Sequence, residues 1–296
     1  MSLTEPRTLA GALPARTIPR TTAQTLLHKK RKGYPITAIT AADYPTARLI
    51  DEAGIDVILV GDSLAMATLG QTDTLSVSMD EMLHHARAVA RGATQAFLVG
   101  DMPYGSYQVS AEEAVRNALR FIREAGMAAV KLEGPLPALT ARLTAAQIQV
   151  VGHLGLTPQS VHRMGGYKVQ ARTLEAMDGL LEDALALEHA GAVALVLEGI
   201  PREVAERITR HVEIPTIGIG AGPGCDGQIL VFHDAFNLTF APSAKFVRRF
   251  ADAATLFREG LADFRESVAA RTFPADTESY HLPAEAAAAL ELLVKV

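Results

Sequence analysis

The residues best suited to chemistry sit in the stretch Met127-Ala-Ala-Val-Lys-Leu-Glu-Gly134. It begins as a short apolar run of the kind that makes a strand buried on both faces. It ends by bringing Lys131 and Glu133 to positions i and i+2. Side chains alternate along a strand, so a cation and an anion project from the same face, just before Gly134 and Pro135 break it. A buried ion pair or a solvated strand end would account for one such pair. Other apolar runs, however, end in the same manner. Gly61-Asp62-Ser63 follows residues 55–60, and Asp101-Met102-Pro103 follows 95–100. Gly152-His153 follows 148–151, and Glu198-Gly199 closes 193–197. Each acid alone reads as a helix N-cap or a solvated loop residue. Polar groups at consecutive strand ends form a pattern that such readings do not explain together.

Asp62, Asp101 and Glu133 would place three carboxylates at one mouth, where they repel one another. A hard divalent cation with oxygen ligands relieves that repulsion, and Mg2+, which keeps several waters, suits such a site. Lys131 offers positive charge to an anionic substrate or a developing enolate. Glu198, two strands from Glu133, reads as a base rather than a ligand. The run Gly218-Ile-Gly-Ala-Gly222 fits either a close backbone approach to a ligand such as phosphate or a tight turn. Cys225 reads as a small wall residue. His84, His85, His162 and His189 lack metal-ligand spacing, and Tyr104 and Tyr107 flank a Gly-Ser turn as a lid or an oligomer contact.

Parallel strands must carry these groups, because only they end together on one side. Strands are expected at 36–41, 55–60, 95–100, 128–132, 148–151, 193–197, 216–219 and 229–232. Helices are expected at 22–32, 44–53, 79–91, 111–125, 136–146, 174–190, 202–211 and 245–268. The alternation predicts an α/β fold, a closed (β/α)8 TIM barrel, with an open doubly wound sheet as the alternative. The first strand–helix junction lacks the G-x-G-x-x-G of a dinucleotide site. Residues 1–20, with Pro6, Pro14 and Pro19 and no apolar periodicity, are expected to form a flexible arm. A single barrel domain is expected over 21–281, followed by a helical tail over 282–296.

Composition narrows the function classes. A chain of 296 residues with 49% hydrophobic and 21% charged residues has the makings of a soluble globular core. Its net charge of -5 argues against a nucleic-acid partner. No apolar segment approaches the roughly 20 residues of a membrane span. One cysteine excludes an internal disulfide framework and a cysteine-rich zinc site, and a cytoplasmic setting is the natural expectation.

Several runs taken together resemble one family. They are Gly61-Asp-Ser-Leu, Asp101-Met-Pro, Lys131-Leu-Glu-Gly134 and Gly152-His-Leu-Gly-Leu-Thr-Pro-Gln-Ser160. Gly165-Gly-Tyr-Lys-Val-Gln170, Val196-Leu-Glu198, Gly218-Ile-Gly-Ala-Gly222 and Asp226-Gly-Gln-Ile-Leu230 join them in order, from about Thr21 to His281. The resemblance is to ketopantoate hydroxymethyltransferases. It implies a Mg2+-dependent barrel of the phosphoenolpyruvate/isocitrate-lyase-like type. Such an enzyme moves a one-carbon unit from 5,10-methylenetetrahydrofolate to 3-methyl-2-oxobutanoate, giving ketopantoate for pantothenate and coenzyme A synthesis. By motif, Asp62, Asp101 and Glu133 match the family's metal-site acids. Asp62, Ser63, Asp101 and Lys131 match its ketoacid contacts, His153 a pocket histidine and Glu198 its proton acceptor. The resemblance also implies a homodecamer.

The chain departs from the family pattern at Ala65, usually glycine, and at Gln71-Thr72, where a His-Asp pair is common. Residues 240–244 diverge as well. These positions bear on loop closure more than on reaction type. A lyase or mutase of the same superfamily is the first alternative, but its Lys-Lys-Cys-Gly-His loop is absent. A non-catalytic homologue is the second, and its mark would be the loss of Asp62, Lys131 or Glu198, all of which are present.

Overall fold

Eight short apolar runs pair edge to edge, all parallel, and the last returns to the first to close a barrel. In the computed structural model, which describes residues 20–293, the strands are β1 (Ile36–Thr40), β2 (Val57–Val60), β3 (Phe97–Asp101) and β4 (Ala129–Glu133). They continue as β5 (Val150–Gly155), β6 (Ala194–Glu198), β7 (Thr216–Ile219) and β8 (Gly227–Leu230). The helices are α1 (Ala23–Lys32), α2 (Tyr44–Glu52), α3 (Leu64–Ala67), α4 (Met79–Gly92), α5 (Ala111–Ala125) and α6 (Pro137–Ala145). After them come α7 (Val161–Met164), α8 (Leu174–His189), α9 (Arg202–His211), α10 (Phe232–Ala235), α11 (Ala253–Ala269) and α12 (Ala284–Leu293). The expected (β/α)8 architecture is therefore the one observed. The arm expected over 1–20 lies outside the described residues except for Arg20.

Period-two alternation divides each strand between two cores. Ile58, Val60, Leu98, Val130, Leu132 and Val150 face outward and pack on helices. Val57, Leu59, Phe97, Val99, Ala129, Val151, Ala194 and Val196 fill the barrel interior. Leu26 of α1 joins that interior cluster as a plug. Two consecutive lysines fasten α1 at the strand starts: Lys29 Nζ lies 2.5 Å from Asp56 and Lys30 Nζ 2.9 Å from Asp226. Each aspartate also accepts the N–H and hydroxyl of a threonine on the adjoining strand, Thr37 for Asp56 and Thr216 for Asp226. The floor of the barrel is thus sealed, and the open end is where the strands finish.

Most boundaries differ from expectation by one or two residues, and three differences matter for the site or the fold. β5 runs on to Gly155, so His153 lies inside a strand rather than in a loop. Its glycine at 152 is a packing requirement, since a Cβ there would come within 2.8 Å of Leu195 and 2.9 Å of Leu187. β8 stops at Leu230, and Phe232 begins α10 with its N–H held by Thr40 Oγ1 at 3.0 Å. The helix expected over 245–268 starts only at Ala253, where Asp252 caps it by accepting from the Thr255 N–H. The described residues fall into two compact units: one runs to Ala235 and includes Thr239–Arg248, the other comprises Phe236–Leu238 and the residues from Arg249. The boundary expected at 281 falls inside the second unit. No helix among the described residues is long and apolar enough to cross a membrane.

Candidate active site

At the ends of the strands the inward face changes character. Where the interior is apolar lower down, it carries Asp101 on β3, Lys131 and Glu133 on β4, His153 on β5 and Glu198 on β6. Strand register sets Asp101 beside Lys131 and Glu133 beside His153. Lys131 and Glu133 share a face, as their i, i+2 spacing requires. Asp62 follows β2 in the first turn before α3, with its backbone N–H donating to Asp101 Oδ2 at 3.1 Å. Ser63 is half-buried at the start of α3, and its side chain makes no capping bond there.

These groups form a continuous line of charge. Lys131 Nζ stands 2.8 Å from Asp101 Oδ1 and 3.5 Å from Glu133 Oε1. It also lies 3.3 Å from His153 Nδ1. His153 Nδ1 is 3.5 Å from Glu133 Oε1, and its Nε2 is 3.2 Å from Glu198 Oε2. His153 thereby bridges the two strands that carry Glu133 and Glu198. Asp62, Asp101, Lys131, Glu133 and His153 are all at most 6% exposed, so their charges are only weakly screened. Glu198 is half-buried and faces the mouth.

The electrostatics follow from that burial. Asp62 is pushed well above the usual carboxylate range, first by burial and then by Asp101 and Glu133. Burial also raises Asp101, with Lys131 opposing it. Glu133 goes the other way, to about 2: burial would raise it, but Lys131 and then His153 prevail. Burial would lower the Lys131 ammonium, yet Asp101, Glu133 and Asp62 together hold it above its ordinary value. Burial and Lys131 likewise work against a charged His153, but Glu133 and Glu198 carry it up to about 9. Asp62 and Asp101 are thus the two acids whose ionised forms the site's own cations do not fully compensate.

That incomplete compensation is the test of whether a divalent cation fits. The donors are hard carboxylate oxygens, and Asp101 Oδ1 and Glu133 Oε1 are buried with only their ion-pair contacts to Lys131 and His153, which leaves each oxygen a lone pair for a cation. Among the described residues no three His, Cys, Asp or Glu side chains close into a ready-made cage. Mg2+ has no need of one, since it is held by one or two carboxylates and completes its shell with water and substrate. The residues present fit that ion.

Two participants escaped the sequence reading. Gln159, on a turn of 3-10 helix over Pro158–Ser160, donates through Nε2 to Asp62 Oδ2 at 2.9 Å. Its backbone N–H donates to Glu133 Oε2 at 2.9 Å. Tyr107, expected in a lid or contact, is buried and donates its O–H to Gln159 Oε1 at 2.5 Å. Tyr104 is exposed. The Thr-Pro-Gln-Ser run carried the signal for Gln159, but nothing local marked Tyr107. The glycines 218, 220 and 222 abut protein: their Cβ positions would meet Cys225, the Phe246 ring and Arg202 respectively. Of the two readings of that run, packing and turning is the one observed.

The model of the ketopantoate hydroxymethyltransferase family matches residues 20–276. A 3-methyl-2-oxobutanoate hydroxymethyltransferase of Koribacter versatilis (strain Ellin345) is 63% identical over 276 residues, 93% of this chain and 94% of its own length. The chain belongs to the ketopantoate hydroxymethyltransferase family. It is accordingly an enzyme, a transferase of hydroxymethyl groups. A second family member, from Syntrophomonas wolfei subsp. wolfei, is 49% identical over 268 residues, covering 90% of this chain and 97% of its own. Among solved structures, a phosphonopyruvate hydrolase complexed with oxalate and Mg2+ superposes with a TM-score of 0.60 at 17% identity. That match covers 87% of this chain and 93% of the other. A 2,3-dimethylmalate lyase, a member of the PEP mutase/isocitrate lyase superfamily, gives 0.56 at 18% identity, over 83% and 88%. Similarity at that level speaks to the barrel alone, and the barrel type is the expected one. Within it the family's usual glycine is Ala65, fully buried in α3, and Gln71 Oε1 accepts from Ser76 Oγ at 2.7 Å inside its own loop.

Proposed function

We propose that the enzyme transfers a one-carbon unit from 5,10-methylenetetrahydrofolate to 3-methyl-2-oxobutanoate in pantothenate and coenzyme A synthesis, with Mg2+ at the site. The observation that carries this reading is the unbroken line Asp101–Lys131–Glu133–His153–Glu198 in a member of this family. Asp62, Asp101 and Glu133 would hold the cation. When bound, it draws charge from the substrate's keto group and makes the neighbouring C3–H more acidic. Asp62, Ser63, Asp101, Lys131 and His153 surround the ketoacid in this reading. Lys131 pairs with its negative charge and with the greater charge on oxygen once the proton is gone. Water adds to the donor's methylene carbon as its two C–N bonds break, so tetrahydrofolate leaves and the carbon is released at the formaldehyde level. Glu198 takes the C3 proton, the C–H electron pair becomes the enolate that attacks that carbon, and the resulting alkoxide takes the proton back from Glu198 to become the product's hydroxyl. The His153 ring, 3.2 Å from Glu198, orients that carboxylate.

Two further parts of the reading concern setting and assembly. Leu256, Phe257, Leu261, Phe264 and Val268 are exposed on α11, an apolar stripe that favours a homo-oligomer, the decamer being implied by the family. A cytoplasmic setting accords with the single cysteine.

The test is proton exchange without folate. Glu198→Gln keeps the shape and removes the basicity. Deuterium incorporation at C3, followed by NMR, should fall on the order of 100- to 10,000-fold while ketoacid affinity persists. Exchange at the wild-type rate would assign the base elsewhere, with His153 next in line.

A further inference from the structure

Four strand ends of the site are tied together through two residues that lie behind Asp62. Gln159 Nε2 donates to Asp62 Oδ2 at 2.9 Å and to the Met102 carbonyl at 3.0 Å. Gln159 Oε1 accepts from the Tyr107 hydroxyl at 2.5 Å, and the Tyr107 oxygen accepts from the Glu133 backbone N–H at 3.3 Å. Both side chains are buried, Tyr107 at 5% and Gln159 at 6% exposure.

A carboxamide has a donor end and an acceptor end of nearly the same size, so packing does not decide which faces the carboxylate. Here neighbouring backbone groups decide it. The Glu133 N–H can only donate, so it takes a lone pair of Tyr107 and leaves the phenol proton for Gln159 Oε1. The Met102 carbonyl can only accept, so it requires the amide NH2 on its own side. Both ends of the chain enforce one direction, and Asp62 Oδ2 receives a donor.

We propose that Tyr107 and Gln159 are positioning residues that form a one-way hydrogen-bond relay, tying back Asp62 Oδ2 and presenting its other oxygen to cation and ketoacid. This rests on the role proposed above for Asp62. It goes beyond that role in giving Tyr107 control of a carboxylate that it never touches.

Tyr107→Phe keeps the ring and removes the proton. The amide oxygen then loses its buried donor, and although the Met102 carbonyl still directs the NH2, the amide is no longer anchored at both ends and its hold on Asp62 Oδ2 loosens. A lost hydrogen bond to an ionised group corresponds to roughly a 10- to 100-fold change in affinity. Mn2+ affinity, read by electron paramagnetic resonance of the purified protein, should fall about 10-fold, with KM for the ketoacid rising more than kcat falls. Gln159→Met removes the amide and should cost at least as much. In the Gln159→Met background, adding Tyr107→Phe should change Mn2+ affinity less than about 2-fold, because Tyr107 reaches Asp62 only through the amide. A merely structural role would instead lower the melting temperature and give additive losses. Unchanged Mn2+ affinity in Tyr107→Phe alone overturns the relay even if Gln159→Met does not fold, and so does additivity in the double variant. Wild-type protein that takes up neither Mn2+ nor ketoacid overturns the proposed site and the relay with it.

Discussion

Replacing Lys131 by methionine tests whether this lysine is what makes a cluster of buried acids tolerable. Methionine keeps most of the volume and removes the charge. Lys131 stands 2.8 Å from Asp101 and 3.5 Å from Glu133, so at an effective dielectric near 20 the two attractions amount to about 6 and 5 kcal/mol. Against them stands the cost of burying the ammonium, several kcal/mol. Removing one partner of such a buried set costs about 3–5 kcal/mol, because the other charge is left uncompensated. Asp62 and Asp101 already hold protons more readily than ordinary carboxylates, which caps the loss at the lower end. Urea unfolding in EDTA near neutral pH, followed by circular dichroism, is the assay. We expect about 3 kcal/mol of destabilisation. Asp101→Asn added to Lys131→Met should recover at least half of it, since removing both partners leaves less stranded charge. A loss below about 1 kcal/mol, or a double variant no better than the single one, refutes the reasoning.

Other expectations follow from the same geometry. Gly155, at φ +93°, lies where a Cβ would come within 2.3 Å of the Glu198 carbonyl. Gly155→Ala should therefore displace Glu198, lowering kcat by an order of magnitude or more and also stability, by roughly 1–3 kcal/mol; wild-type kcat would show that the base tolerates the shift. Asp226→Asn weakens the floor where Lys30 and Thr216 meet that carboxylate, and should cost about 1–3 kcal/mol in unfolding with ketoacid KM unchanged. An altered KM would mean that the two ends of the barrel communicate. His153, raised from 6.5 to about 9, is more easily charged in the folded metal-free protein than in the unfolded chain. Its contribution to stability is complete below about pH 6.5 and lost as pH rises through about 9. Melting curves across that window should flatten in His153→Gln, and an equal slope in wild type and variant would place the titration elsewhere.

The sequence alone determined the fold class and most of the reactive groups, because both depend on local, periodic information. Short apolar runs alternating with amphipathic ones demand parallel strands, and polar residues at the ends of those runs must share one side of the sheet. Lys131 and Glu133 share a face by strand geometry, and Asp62, Asp101 and Glu198 were legible as strand-end acids before any contact was known. What period and spacing do not encode is which neighbours a side chain finds across the barrel. His153 read as lying just past a strand that ended at 151, yet Gly152 makes room for the packing of Leu187 and Leu195 and the strand runs through it to Gly155. Tyr107 read as a surface aromatic beside a turn, and only closure of the loops after β3 and β5 buries it against Gln159, 52 residues away. The glycines after β7 suited a ligand or a turn equally well until Phe246 and Arg202 filled the space against them. Burial decided the charges too. The chain shows three acids and one lysine, but only their removal from water fixes which carboxylates are raised, which is lowered and where a cation is wanted.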